Sequence, residues 1–353
     1  MKCSKKLLSA ITNVDIRGDA WIQATLPVRH GGLSLRRLSA LALPCYLSSL
    51  ISCSELICKI NPSLHVEHTT SLLGSAVADF RILTGLEEIP LGDMAGSQRA
   101  WDDKVCQSEY NSHLAEADQV ERARLLAARE PYSAAWLGAI PNPNLGLHLD
   151  AEAVRIAVGL RLGTPLCVSH RCRCGTLVGN LGLHGLSCQR SAGRLPRHAN
   201  LNDVVKRALA VAGVPSWLEP LGLDRGDGRR PDGLTVFPYS GGKSLCWDST
   251  CVDTYCRSSI ISCALNPGSA AKAAEEKKRA KYSELSVRFR FEPVAVETSG
   301  VIGPSTLKFL IELGQRMRQH TGERREGLWL LQRISFAIVR GNAASVAATG
   351  NLY

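Results

Sequence analysis

Between residues 172 and 188 the chain places Cys172, Cys174, His184 and Cys188 in the pattern C-x-C-x9-H-x3-C, with Gly175, Gly179, Gly182 and Gly185 in the intervening loop. Three thiolates and an imidazole are a tetrahedral donor set for structural Zn²⁺, and the glycines let a short loop wrap an ion. The first pair is tighter than the commoner C-x2-C spacing, so His170 and Cys167 stand as alternative ligands. A zinc held by four protein groups braces a fold and has no open position for activating water. Such a cluster belongs to a reducing compartment, because secreted chains spend their cysteines on disulfides. The start Met1-Lys2-Cys3-Ser4-Lys5-Lys6-Leu7-Leu8 reaches Thr12 too soon for a signal-peptide core. The uncharged stretch from Leu38 to Ser54, broken by Pro44 and serines, falls short of a membrane span. The expectation is a nuclear or otherwise intracellular protein with no membrane partner.

At 353 residues, 45% hydrophobic and 21% charged, the chain has room for two domains with real cores, which excludes fibrous and wholly disordered forms. Its charge is uneven. Residues 1–150 carry 14 basic and 16 acidic side chains, whereas residues 151–353 carry 28 and 16. The positive C-terminal part favours polyanions, nucleic acid first and an acidic membrane surface second.

The first third reads as helices. Around Leu33–Ile51 the apolar density with Pro44 inside predicts two helices meeting at a kink, and Ala117–Glu130 predicts another helix. Pro131–Leu147 is loop-like and marks a boundary. Further on, Leu201, Val204, Val205, Ala208, Leu209 and Ala212 follow helical spacing, with Asn200 as cap and Gly213 and Pro215 as stop. Strands are expected at Leu234–Phe237 and Leu245–Val252 in a hairpin, followed by a helix at Ala270–Leu285 and a β run at Val287–Val296. Helices at Ser305–Arg318 and Leu328–Arg340 complete an α/β or α+β order.

Two carboxylates stand out in the hairpin. Asp232 lies in Arg229-Arg230-Pro231-Asp232-Gly233, where a turn role is the plainest reading. Asp248 lies inside a strand-like segment, where an unpaired buried carboxylate is costly. With a three-residue loop of Ser240, Gly241 and Gly242, Asp248 faces Leu234 and Asp232 faces Thr250. The two acids are then diagonal neighbours about 7–8 Å apart, a separation suited to one Mg²⁺. A two-residue loop puts them on opposite faces unless a bulge near Pro238 restores the parity. The helix beyond carries Ala271, Ala274, Lys278, Lys281 and Leu285 on one stripe, so a lysine points where an apolar side chain would sit. Lys281, next to Tyr282, is the expected catalytic amine, with Lys278 as its rival. Glu219 and Glu297 are candidate auxiliary carboxylates, and Arg197-His198 a candidate contact to a nucleic-acid backbone.

Taken in series, C-x-C-x9-H-x3-C, Arg197-His198, Glu219-Pro220, Arg230-Pro231-Asp232, Trp247-Asp248 and Lys281-Tyr282 resemble the restriction-enzyme-like endonuclease domain that ends the polyprotein of non-LTR retrotransposons, a member of the PD-(D/E)xK superfamily. Upstream, Trp21-Ile22-Gln23-Ala24 and Leu26-Pro27-Val28-Arg29-His30-Gly31-Gly32-Leu33 are similar to the stretch after the reverse-transcriptase palm in such elements. The resemblance spans roughly residues 15–340.

It implies a helical region at 1–150, a linker and zinc knuckle at 151–195, and a nuclease core at 196–353 with a mixed sheet flanked by helices. It also implies a metal-dependent DNA endonuclease that nicks target DNA for primed reverse transcription, with DNA and the element's RNA as partners. By motif, Asp232 and Asp248 would hold Mg²⁺ and Lys281 would be the displaced lysine. Tyr282, His198, Glu219 and Glu297 would be auxiliary, and Arg197, Arg229 and Arg230 would contact nucleic acid. Position 250, where the usual tripeptide has lysine, is Thr250. No polymerase carboxylate motif is present, so a truncated or domesticated element without reverse-transcriptase activity is expected. The rival reading is a catalytically inactive nucleic-acid-binding protein with a structural zinc site.

Overall fold

The computed structural model describes residues 2–60, 66–223 and 230–350. The chain divides into two compact units, Met1–Lys5 with Arg17–Ala117, and Lys6–Ile16 with Asp118–Tyr353. Helix α1 (Lys2–Thr12) opens the chain. The first unit is helical, with α2 (Gly18–Thr25), α3 (Leu38–Ile60), α4 (Val66–Thr84) and α5 (Gln98–Glu116). Its core joins Ala40 and Leu47 of α3 to Phe80 of α4 and Trp101 and Val105 of α5. Phe80 and Trp101 meet edge-to-face at 4.8 Å, the preferred arrangement for two quadrupoles.

Two expectations fail here. The region around Pro44 is one helix, α3, not two. Ala40 and Leu47, on either side of the proline, bury into the same cluster, and that packing outweighs the roughly 3 kcal/mol a mid-helix proline costs. In addition, Leu38–Ile57, with mean hydropathy 1.5, is long and apolar enough by length and composition to cross a membrane. The serines and the single charge at Glu55 dilute its hydropathy less than its leucines, isoleucines and alanines raise it.

In the second unit come α6 (Gln119–Arg129), α7 (Ala151–Leu162), a small hairpin β1 (His170–Arg171) and β2 (Leu177–Val178), α8 (His184–Ser187) and α9 (Arg194–Val211). Then follow β3 (Ser216–Leu218), β4 (Gly233–Ser240), β5 (Lys243–Val252), α10 (Ile260–Cys263), α11 (Ser269–Lys281), α12 (Leu285–Arg288), β6 (Arg290–Glu297), α13 (Pro304–Thr321) and α14 (Glu326–Ala347). The architecture is mixed α+β. The boundary expected at 150 falls at Asp150, whose carboxylate caps α7 by accepting the Ala153 N–H at 2.7 Å, within the second unit. The boundary expected at 195/196 falls inside α9. That helix starts at Arg194, ahead of the expected Asn200 cap, and Pro196 sits in its first turn, where a missing N–H costs nothing.

The main sheet has the order β3-β4-β5-β6; β3, β4 and β5 are antiparallel, and β5 pairs with β6 in parallel from Leu245↔Arg290 to Val252↔Glu297. Alternation along the strands serves two layers. Leu245, Trp247, Val294 and Val296 pack on Leu201 and Val205 of α9, Phe309 of α13 and Ile334 of α14. On the other face, Cys246 and Phe291 meet Tyr282, and Ala295 meets Ala271 and Ala274 of α11. Asp248, at an even position, therefore faces α11.

Candidate metal centre and acidic site

The β1–β2 turn and α8 build the Cys/His cluster. Gly175, at φ +90°, closes the turn after Cys172 and Cys174, and its N–H donates to the Cys172 carbonyl at 2.8 Å. In α8, His184 and the residue after its end, Cys188, lie four apart and so on one face. Gly185 seats this turn against α14, where a Cβ would come within 2.6 Å of the Ser345 carbonyl. The four ligand atoms all lie within 4.8 Å of one another. Cys172 Sγ and Cys188 Sγ are 3.8 Å apart, close to the S···S edge of about 3.7 Å that tetrahedral zinc–thiolate bonds imply. Cys174 Sγ is 3.2 Å from His184 Nε2. Hydrogen bonds from the Thr176 side chain and backbone lower the Cys174 thiol to about 6, toward the thiolate a metal takes; burial pushes Cys188 the other way. These four residues can bind a metal such as zinc. The alternatives are otherwise engaged: His170 uses both ring nitrogens on the Val168 and Thr349 carbonyls, at 2.7 and 2.8 Å, and Cys167 donates to the Gly179 carbonyl at 3.3 Å.

At the acids, the hairpin has a two-residue turn where a three-residue loop is expected, with register shifts beside Pro238. Ser240 pairs with Lys243 around a two-residue turn of Gly241 and Gly242, at φ +56° and +73°, both left-handed as such a turn requires. Register shifts on either side of Pro238 then bring the ladder to Leu234↔Cys246 and Gly233↔Trp247. Asp232 lies just beyond the last paired residue and donates its N–H to the Trp247 carbonyl at 3.0 Å, which brings it beside the Asp248 stretch of β5. Gly233 is fixed by the same register, because a Cβ there would lie 2.0 Å from the Trp247 ring.

β4 begins after Asp232, so the Ser249 N–H has no strand carbonyl to meet; the Asp232 carboxylate takes its place, with Oδ2 accepting at 2.6 Å. His198 Nε2 of α9 lies 3.0 Å from the same oxygen. Burial pushes the Asp232 carboxyl up, but the His198 hydrogen bond and charge with the Ser249 N–H outweigh it and leave Asp232 below its ordinary value. His198 is raised in return, first by its bond to Asp232. Asp248, 3% exposed, is raised by burial and then by the charge of Asp232, against the pull of Lys278 and Lys281. The pair is thus asymmetric, one acid held ionised and the other pushed toward its neutral form.

The rival lysine makes the direct contact: Lys278 forms the ion pair with Asp248 Oδ2. Lys281 instead donates to the Tyr282 hydroxyl at 2.6 Å, and that hydroxyl donates to the Arg230 carbonyl at 2.9 Å and lies 3.4 Å from Asp248 Oδ1. On α11, Lys278 is one turn before Tyr282, which brings it over β5 where Lys281 turns outward. Asn202 was not singled out by the sequence. Its Oδ1 accepts from Trp247 Nε1 at 3.1 Å and Ser249 Oγ at 2.6 Å, and its Nδ2 is 3.5 Å from His198 Nδ1. The spacing of His198 and Asn202, one turn apart on α9, was the available signal.

Other candidates lie elsewhere. Glu219 pairs with Arg230 at the surface. Glu297 is fully buried and accepts the Ala270 and Ala271 N–H groups at 3.1 and 3.2 Å and the Thr254 hydroxyl at 3.1 Å, so it caps α11 and does not face the acids. Arg197 is 2% exposed and donates to Asn342 Oδ1 at 2.7 Å and the Leu186 carbonyl at 3.0 Å. It is an internal tie, out of reach of a nucleic-acid backbone. Arg229 lies outside the described residues. The eleven described cysteines are free thiols. No protein-family model and no curated protein matches the chain.

Proposed function

We propose that the second unit is a divalent-metal-dependent DNA endonuclease of the restriction-enzyme-like, PD-(D/E)xK type, from a non-LTR retrotransposon-like element, working in a reducing compartment on DNA with the element's RNA as a further partner. The observation that carries this reading is Asp232, whose carboxylate accepts the Ser249 N–H, beside the buried Asp248 with the Lys278 ammonium on the second acid. The donor set fits a hard cation: two carboxylates lie close together, and the charge of one already raises the other, a repulsion a divalent ion would relieve. Mg²⁺ held by Asp232 and Asp248 would supply Lewis acidity and a nucleophilic water.

The protein's own groups do the rest. His198 and the Ser249 N–H fix the Asp232 carboxylate in its ionised form. Lys278, with Lys281 behind Tyr282, holds positive charge where the phosphodiester becomes more negative. Water adds across one P–O bond, leaving a phosphomonoester and a hydroxyl. The Cys/His cluster binds Zn²⁺ as a brace for α8 against α14.

One observation favours the second reading, an inactive nucleic-acid binder: the Lys278 ammonium already supplies a counter-charge to the buried Asp248 without any metal. Plasmid nicking with Mg²⁺ and EDTA controls separates the two. Asp232→Ala and Asp248→Ala are each expected to lower nicking at least about 100-fold, with DNA retention kept. Retention without metal-dependent nicking by the wild type would leave only the binder.

A further inference from the structure

On α9, residues at 100° per step separate into two sides. His198 and Asn202 reach the acids, whereas Asn200, Asp203 and Arg207 lie on the far side and line a second cleft of about 350 Å³. Its opposite wall is α14, which contributes Arg333, Arg340 and the buried ring of Phe336. The rim is the turn at Asn144–Gly146, where Gly146 adopts φ +68° and a Cβ added there would lie 3.9 Å from Arg340 Nη1.

Three guanidinium groups and one carboxylate make this groove positive, and the carboxylate is already used: Asp203 pairs with Arg207. Arg340 donates one N–H to the His148 carbonyl at 2.6 Å and lies over the Phe336 ring, which holds its fork in place while other N–H groups stay available. Arg333, half-buried, makes no hydrogen bond or ion pair among the described residues. Holding a guanidinium partly out of water without a counter-charge is unfavourable unless an anion completes it.

The spacing selects the kind of anion. Arg333 and Arg340 are seven residues apart on one helix, about 10.5 Å along its axis. That is the axial span of about three phosphate-to-phosphate steps along a strand of a duplex, and too long for one phosphate to bridge. The planar forks of arginine suit phosphate oxygens, and the amides of Asn144 and Asn200 add neutral donors.

We infer that this groove between α9 and α14 is a second nucleic-acid site, which takes the phosphodiester backbone of a strand on the side of α9 away from the acids. It is independent of the cutting chemistry. A strand held there tethers substrate to the protein irrespective of whether the acids act on it.

The experiment is fluorescence anisotropy of a labelled single-stranded oligonucleotide of about 16 nucleotides. The protein is the full zinc-loaded chain carrying Asp248→Ala, without added Mg²⁺ and without chelator, so that cleavage plays no part and the Cys/His cluster stays intact. Arg333→Glu, which breaks no internal bond, is expected to weaken binding at least about tenfold with an unchanged melting temperature. Arg333→Ala with Arg340→Ala is expected to make the dependence of log K on log salt shallower by about 1.4, the loss of two phosphate contacts at about 0.7 each. Lys308→Glu on exposed α13 is the charge control. An equal loss with Lys308→Glu, or none with Arg333→Glu, overturns the site. Displacement of the oligonucleotide from the groove by poly-glutamate at equal charge concentration also overturns it, in favour of an acidic protein partner. Failure of plasmid nicking in the wild type sinks the endonuclease and leaves this result standing.

Discussion

Gly233 is the smallest residue near the acids and the one most tightly determined. The Trp247 indole lies flat against its Cα, and the same indole donates to Asn202, which in turn steadies His198 and Ser249. One bare backbone position therefore lets the ring lie where the polar network needs it. Gly233→Ala is expected to destabilise the unit by about 3 kcal/mol, since the ring must move and cannot do so without breaking its hydrogen bond. Urea unfolding of the two proteins checks this; a change under about 1 kcal/mol would show that the indole has room to shift. The aspartate before it was legible in the sequence as a turn residue with a second possible role. The order of the two lysines was not, because Lys278 and Lys281 share a helical stripe and only the angle at which α11 crosses β5 decides which of them meets Asp248.

Among the elements, the patterns of α9, α11 and α13 and the alternation in β5 were readable because each helix buries one face against the sheet, and α14 was readable as an apolar helix packed on α9 and α13. What the sequence left open were features set by tertiary neighbours. The start of α9 depends on Arg197 reaching Asn342 and Leu186, and α3 runs through Pro44 because of packing on α4 and α5. The link between β6 and α13 is also of this kind. Arg290 grips Glu312 through two bonds at 2.9 and 2.7 Å, beside Tyr239, and this pairing holds the Glu312 carboxyl below its ordinary value. A depressed folded-state value adds stability above the unfolded carboxyl's titration, near pH 4.5, and loses it as pH falls through the lower folded value. Glu312→Gln is thus expected to cost about 1 kcal/mol at pH 7 and to lessen the loss of stability below pH 4.5. Thermal melts across pH 3–7 test it, and parallel curves for both proteins would refute the assignment.

At the level of the whole second unit, the Cys/His cluster matters because α8 leans on α14, the longest helix of the main core. The cluster was the most legible feature of the sequence, with Cys172, Cys174, His184 and Cys188 as its first choice; what the spacing left open was whether Cys167 or His170 substitutes, and the carbonyls they meet settle that. One zinc per chain is expected by elemental analysis, and none after His184→Ala. Chelation is expected to lower the melting temperature by about 10 °C, corresponding to about 4 kcal/mol of linked binding energy. An apo protein that melts with the holo form would remove the metal from the architecture.

The slipped ladder on either side of Pro238 has one further consequence. The two-residue tip alone would carry Gly233 opposite Thr250, and the shifts beside Pro238 bring it to Trp247 instead. A one-residue change in the tip would therefore have to be met by a further shift at the proline. The proline stretch works as the hairpin's expansion joint, and the outer end can change only by as much as that joint takes up.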